Sequence, residues 1–101
     1  MKNFSGFGGG GNMQQLMKQA QEAQKQMERA KAELAETAIE ASAGGGMVTV
    51  EITGAYEIIN LKIKPEAVDP DDVEMLEDLV IAAINEAINQ VTKLREETLP
   101  I

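Results

Sequence analysis

The sequence predicts an α+β fold: a long N-terminal helix, a three-stranded antiparallel sheet and a C-terminal helix. Three observations carry that expectation. Met13, Leu16, Ala20, Ala23, Met27, Ala30 and Leu34 recur at alternating intervals of three and four residues, the spacing of a single helical stripe. Val48, Val50 and Ile52, then Ile59, Leu61 and Ile63, occupy every second position on either side of Gly54-Ala55, as in a hairpin. Beyond Asp69-Pro70, apolar residues return at helical spacing as far as Val91.

The elements follow in order. Gly6 and Gly8 to Gly11 lose too much backbone entropy on ordering to be held by local contacts, so residues 1–11 are expected to form a flexible leader. No strand precedes the glycines and no Lys-Ser/Thr pair closes them, so a phosphate-cradling loop is disfavoured. Asn12 is a candidate N-cap for the first helix, expected over about 12–34. Its stripe takes two positions in seven, too narrow to join a broad core, and Gln, Glu, Lys and Arg fill nearly all the rest. Such a helix has little to bury alone. We expect a rod that stands partly clear of the body and pairs with another helix in coiled-coil fashion, Ala20, Ala23 and Ala30 allowing close approach.

Thr37, Ile39, Ala41 and Ala43 alternate weakly as a first strand, and Gly44-Gly45-Gly46 reads as a turn. If Gly54-Ala55 forms a two-residue type II′ turn, Val50 faces Ile59 and Val48 faces Leu61. That register puts Val48, Val50, Ile52, Ile59, Leu61 and Ile63 on one buried face, with Thr49, Glu51, Tyr56, Ile58, Asn60, Lys62 and Lys64 on the other. Pro65 ends the strand. Asp69 is a candidate N-cap with Pro70 first in the helix, which is expected to reach about Glu97, with Thr98 to Ile101 fraying. This helix is apolar on more than one side. One side suits the sheet; the other needs a surface that a short chain does not possess. Pairing of two copies is expected here, through Leu76, Val80, Ile81, Ile84, Ile88 and Val91.

A length of 101 residues suits one domain, taken as residues 12–101. The chain has no Cys and no His, which removes disulfides, thiol nucleophiles, thiolate metal sites and the usual general base near neutral pH. Asp69, Asp71, Asp72 and Glu74 lack the spacing and glycine of a calcium loop and are read as helix-capping residues. No metal, cofactor, small-molecule substrate or catalytic function is expected. There is no secretory leader and no run long enough to span a bilayer, so we expect a soluble cytoplasmic protein with no membrane partner.

The net charge is −8, and its distribution is uneven. Residues 1–64 are neutral overall, so the whole excess lies in residues 65–101. A polyanion would therefore have to meet the first half. There Lys18, Glu22, Lys25 and Arg29 form one outward ridge opposite the apolar stripe, with Lys18 and Lys25 about 10.5 Å apart along the axis. Lys62 and Lys64 share a sheet face that could add to it. The plain reading is a solvated helix face; the functional one is a row of phosphate contacts, doubled in a dimer.

The segments NMQQLMKQAQ at 12–21, VEITGA at 50–55 and DDVEMLEDLVIAAINEA at 71–87, in that order behind a glycine-rich leader, resemble the YbaB/EbfC family of bacterial nucleoid-associated proteins. The resemblance implies a tweezers-like dimer with projecting first helices. It implies binding to double-stranded DNA in the nucleoid, with a role in nucleoid organisation or gene expression. Carried onto this chain, it offers Lys18, Lys25, Arg29 and Lys31 on the projecting helix, Lys62 and Lys64 in the last strand, and Lys93 and Arg95 late in the second helix. The competing expectation, drawn from the acidic second helix, is a dimeric protein-interaction or structural module with little DNA affinity.

Overall fold

The structure, a computed structural model, describes residues 10–99. The chain runs α1 (Gly10–Glu36), β1 (Ala38–Ala43), β2 (Val48–Thr53), β3 (Ile58–Ile63), a 3-10 turn (Pro65–Ala67) and α2 (Val73–Thr98). The expected fold class is the one observed. Residues 1–9 of the expected leader, with Pro100 and Ile101, lie outside the described residues. Gly10 and Gly11 belong to α1, so Asn12 sits inside the helix and is not its cap.

A radius of gyration of 22.8 Å and extents of 80 × 24 × 16 Å far exceed the ~13 Å radius of a compact chain this size. The cause is α1, whose 27 residues span about 40 Å. Leu34 is the one fully buried residue among those of α1 whose burial is described, and Met27 and Ala30 are half-buried. Met13, Leu16 and Met17 are more than half exposed. The apolar stripe therefore runs along a free arm, as its narrowness implies, and among the described residues it is fully buried only at Leu34, at the body.

The body is a sheet in the order β1-β2-β3, all antiparallel. Ala41, Val48, Val50 and Ile52 meet Ala83, Ala87 and Val91 of α2 in the core, with Ile39, Ala43, Leu76, Leu79, Val80 and Ile84 around them. Gly44 opens the first hairpin at φ 65°, where a Cβ would also press on Leu79.

The second hairpin differs from expectation. Val50 faces Leu61 and Val48 faces Ile63, two residues later than a two-residue turn requires. The loop is longer, and its left-handed residue is Tyr56, at φ 63°. Thr53 holds it together: its N–H donates to the Glu57 carbonyl, and its Oγ1 accepts from the N–H groups of Ala55 and Glu57. Tyr56 is thus an exposed loop residue and not a strand residue. An even shift keeps Leu61 and Ile63 on the expected face. A bulge at Glu51/Ile52 moves Ile58 opposite Ile52, off the outer face assigned to it.

The start of α2 also differs. Asp72, not Asp69, is the N-cap, its carboxylate accepting from the Met75 N–H at 3.2 Å. Asp69 accepts from the Asp71 N–H two residues on, which forms a turn ahead of the helix and keeps Pro70 out of it. Asp72→Ala is expected to cost about 1 kcal/mol in urea denaturation, and Asp69→Ala less.

Candidate nucleic-acid interface

Because α1 is continuous, its faces follow from about 100° per residue. Lys18, Lys25 and Arg29 fall within a sector of roughly 40°, on the side opposite the apolar stripe, and all three are exposed. Glu22 lies in the same ridge. Lys31, also exposed, is turned away by roughly 140° and borders the stripe instead. From Leu34, where the arm meets the body, Arg29 stands about 8 Å out and Lys18 about 24 Å.

The arm's base is a compact hydrogen-bonded joint. The Leu34 carbonyl accepts from the N–H groups of Thr37 (3.1 Å) and Gly54 (2.9 Å). The Gly54 N–H also reaches the Thr37 carbonyl at 3.0 Å. The Gly54 carbonyl accepts from Arg95 Nη1 at 2.8 Å. Arg95 lies 5.3 Å from the centre of the Tyr56 ring, whose hydroxyl is 2.6 Å from Thr92 Oγ1. Arg95, grouped by resemblance with Lys93 as a cation late in the second helix, is therefore engaged in fixing the β2–β3 loop. Lys93 is exposed.

Lys62 and Lys64 sit at the other end of the sheet, where with Gly46 and Thr49 they line a shallow groove. Lys62 closes an outer-face row with Thr49 and Ser42; the next row is Asn60, Glu51 and Glu40. The structure thus brings Lys18, Lys25 and Arg29 together but does not add Lys62 and Lys64 to their ridge. Within one protomer these are two separate basic groups.

A second surface concerns assembly. Helix α2 covers β1 and β2 and leaves β3 open. Ile59, Leu61 and Ile63, expected to be buried, are 50%, 44% and 38% exposed. Beside them Ile63, Leu76, Glu77, Val80 and Ile81 line an apolar groove, and Ile81 and Ile88 are also exposed. Among the expected pairing residues Val91 is the exception. It is fully buried against the sheet of its own protomer and has no surface to offer a second copy.

Sequence reasoning missed the joint. Gly54 carries an ambiguous signal because a glycine after a strand serves equally well as a turn residue. Arg95 looks like any other surface cation near a helix end. Among the described residues no group of three or more acidic side chains is placed to hold a metal ion, and no helix is long and apolar enough to cross a membrane.

A protomer with a free arm, a basic ridge along it and an uncovered apolar flank has the form of a binding protein. The model of the YbaB/EbfC DNA-binding family matches residues 9–100, and the chain belongs to that family, whose members bind DNA and are not enzymes. It is 56% identical over 87 residues to a nucleoid-associated protein of Alkaliphilus metalliredigens, covering 86% of this chain and 76% of that one. A nucleoid-associated protein of Acetivibrio thermocellus is 56% identical over 91 residues, with 90% and 79% covered. One from Chloroflexus aurantiacus is 49% identical over 88 residues, with 87% and 88% covered. The fold matches the crystal structure of an uncharacterized protein from Helicobacter pylori with a TM-score of 0.75 at 24% identity, covering 83% of this chain and 88% of that chain.

Proposed function

We propose that this protein is a homodimeric nucleoid-associated protein that binds double-stranded DNA in the cytoplasm, organising the nucleoid or regulating gene expression. Residues 12–101 would act as one DNA-binding and dimerisation unit. The observation that carries the reading is the ridge of Lys18, Lys25 and Arg29 on an arm held clear of the acidic body, in a chain of a DNA-binding family. Two copies would pair across the open β3 flank through Leu61, Ile63, Leu76, Val80, Ile81, Ile84 and Ile88. The exposed stripe at heptad spacing fits a coiled-coil partner helix from a second copy. Lys62 and Lys64 would supply a separate, weaker contact, and Lys31 a marginal one.

Titration of labelled duplex DNA at ~50 mM and ~200 mM salt tests the reading. Saturable binding that weakens steeply with salt is expected, since each phosphate neutralised contributes about −0.9 to the slope of log affinity on log salt. Absence of binding at ~50 mM salt would favour the competing protein-interaction module, for which the charge of −8 speaks.

A further inference from the structure

We propose that Gly54 is a pin joining the arm to α2, and that Gly54 and Arg95 are positioning residues which set the direction of the DNA-binding arm. The inference rests on the reading of α1 as the arm that meets DNA. It concerns how the arm is aimed, not what it touches.

The geometry is specific. The arm is attached covalently through Thr37 alone, the single residue between α1 and β1. One covalent link of this kind leaves a 40-Å lever free to swing about its end. The second attachment is the backbone of Gly54. Its N–H is shared between the Leu34 and Thr37 carbonyls at the end of the arm, and its carbonyl is held by the Arg95 guanidinium from the last turns of α2. A single residue thus spans arm and α2, through the peptide groups on either side of its Cα. Backbone-to-backbone approach this close requires glycine: a Cβ on Gly54 would stand 2.4 Å from the Leu34 carbonyl oxygen and 2.9 Å from the Leu34 Cβ. The φ of Gly54 is not left-handed, so glycine is required by proximity and not by the turn.

Arg95 is braced in turn. Tyr56 stacks beside the guanidinium while its hydroxyl pairs with Thr92, one turn back along α2. The left-handed backbone at Tyr56 is unfavourable for a residue with a bulky side chain, and it persists where the surroundings over-determine it. Since α2 also borders the open apolar flank, the pin refers the arm's direction to the element that carries that flank. Two arms in one assembly would then hold a defined spacing. Preorganisation of this kind raises affinity without adding a contact.

The test uses the full chain. The absence of cysteine lets Gln21→Cys, on the exposed arm, carry a single spin label. Distances between the two labels of a dimer are compared with and without Gly54→Ala, and with and without Arg95→Gln. The second substitution leaves Gly54 intact, so it remains informative if the first fails to fold. Amide hydrogen exchange at Thr37 and Gly54 provides a readout that depends on neither pairing nor DNA. A swing of roughly 15° displaces Lys18, about 24 Å out, by about 6 Å.

The expected result for Arg95→Gln is a broadened or displaced distance distribution. Exchange at Thr37 and Gly54 should quicken by roughly tenfold or more while the β1–β2 amides stay protected, and duplex affinity should fall. Tyr56→Phe, which keeps the ring and loses the Thr92 contact, should give a smaller effect in the same direction. Unchanged distances and unchanged exchange in Arg95→Gln would overturn the pin even if DNA binding were strong. Failure of the unsubstituted protein to bind DNA would overturn the functional reading, and exchange at Gly54 would still decide the pin.

Discussion

Ile81→Asp is expected to split the dimer into monomers while each protomer stays folded. Ile81 is 56% exposed in the single chain and projects from α2 beside the open flank of β3. A polar replacement there costs the protomer within about 0.5 kcal/mol, because no core contact is lost. Across an interface the same carboxylate is taken out of water with no partner, a penalty of about 3–5 kcal/mol. Dissociation should therefore rise by at least about 100-fold at 1.4 kcal/mol per decade. Sedimentation velocity at low micromolar concentration, with far-ultraviolet circular dichroism on the same samples, checks both halves of the claim. Val91→Asp is the contrast. It places the charge in a site with no exposure at all and should unfold the protomer. A dimer that survives Ile81→Asp at low micromolar concentration would mean that the apolar flank is not where two copies meet.

That contrast marks where the sequence was legible. Periodicity is a property of one element, and it identified every major one: the stripe from Met13 to Leu34, the alternation of Val48, Val50 and Ile52, and the apolar faces of α2. Periodicity cannot say which face of a two-sided helix a short sheet will take. Val91 and Ile88 are both apolar residues near the end of the same helix. Only the packed structure shows Val91 beneath β2 and β1 while Ile88 remains at the surface. The width of cover is equally invisible. A single helix spans two strands, so β3 keeps the alternation of a buried strand while its inner face lies open. Its exposed Ile59, Leu61 and Ile63 are intelligible as the part of a core that a second chain completes.

The boundaries failed where several short-range solutions compete. Asp69, Asp71 and Asp72 all favour a helix start, and the choice falls to the one whose carboxylate reaches a free N–H three residues on. Gly54 suggested a turn because glycine tolerates left-handed backbone. The fold uses it for its lack of a side chain instead, and puts Tyr56 in the left-handed position. The basic ridge was readable because Lys18, Lys25 and Arg29 share one helix. Its separation from Lys62 and Lys64 was not, since it depends on the end of the sheet from which the arm departs.

Replacing Lys18, Lys25 and Arg29 together with Ala should nearly abolish duplex binding. Alanine is the best helix former, so the arm should persist and the loss should not be one of folding. Three cations per arm make six in a dimer. If each neutralises one phosphate, their removal flattens the salt dependence by about five units of slope and weakens binding at ~50 mM salt by roughly 100-fold or more. A change of net charge alone is the rival explanation, and Lys62→Ala with Lys64→Ala controls for it. That pair removes four cations from a dimer at the opposite end of the body, and it should change the slope by no more than about half as much. Glu22 supplies the opposite sign within the ridge, standing among the same lysines, so Glu22→Gln should tighten binding. Fluorescence anisotropy with one duplex at several salt concentrations measures all three. Losses in proportion to the cations removed, with the Lys62 and Lys64 pair giving about two-thirds of the change in slope, would show that DNA senses only total charge. A graded order, in which the arm outweighs the other pair by more than the ratio of cations removed, places the duplex along the ridge.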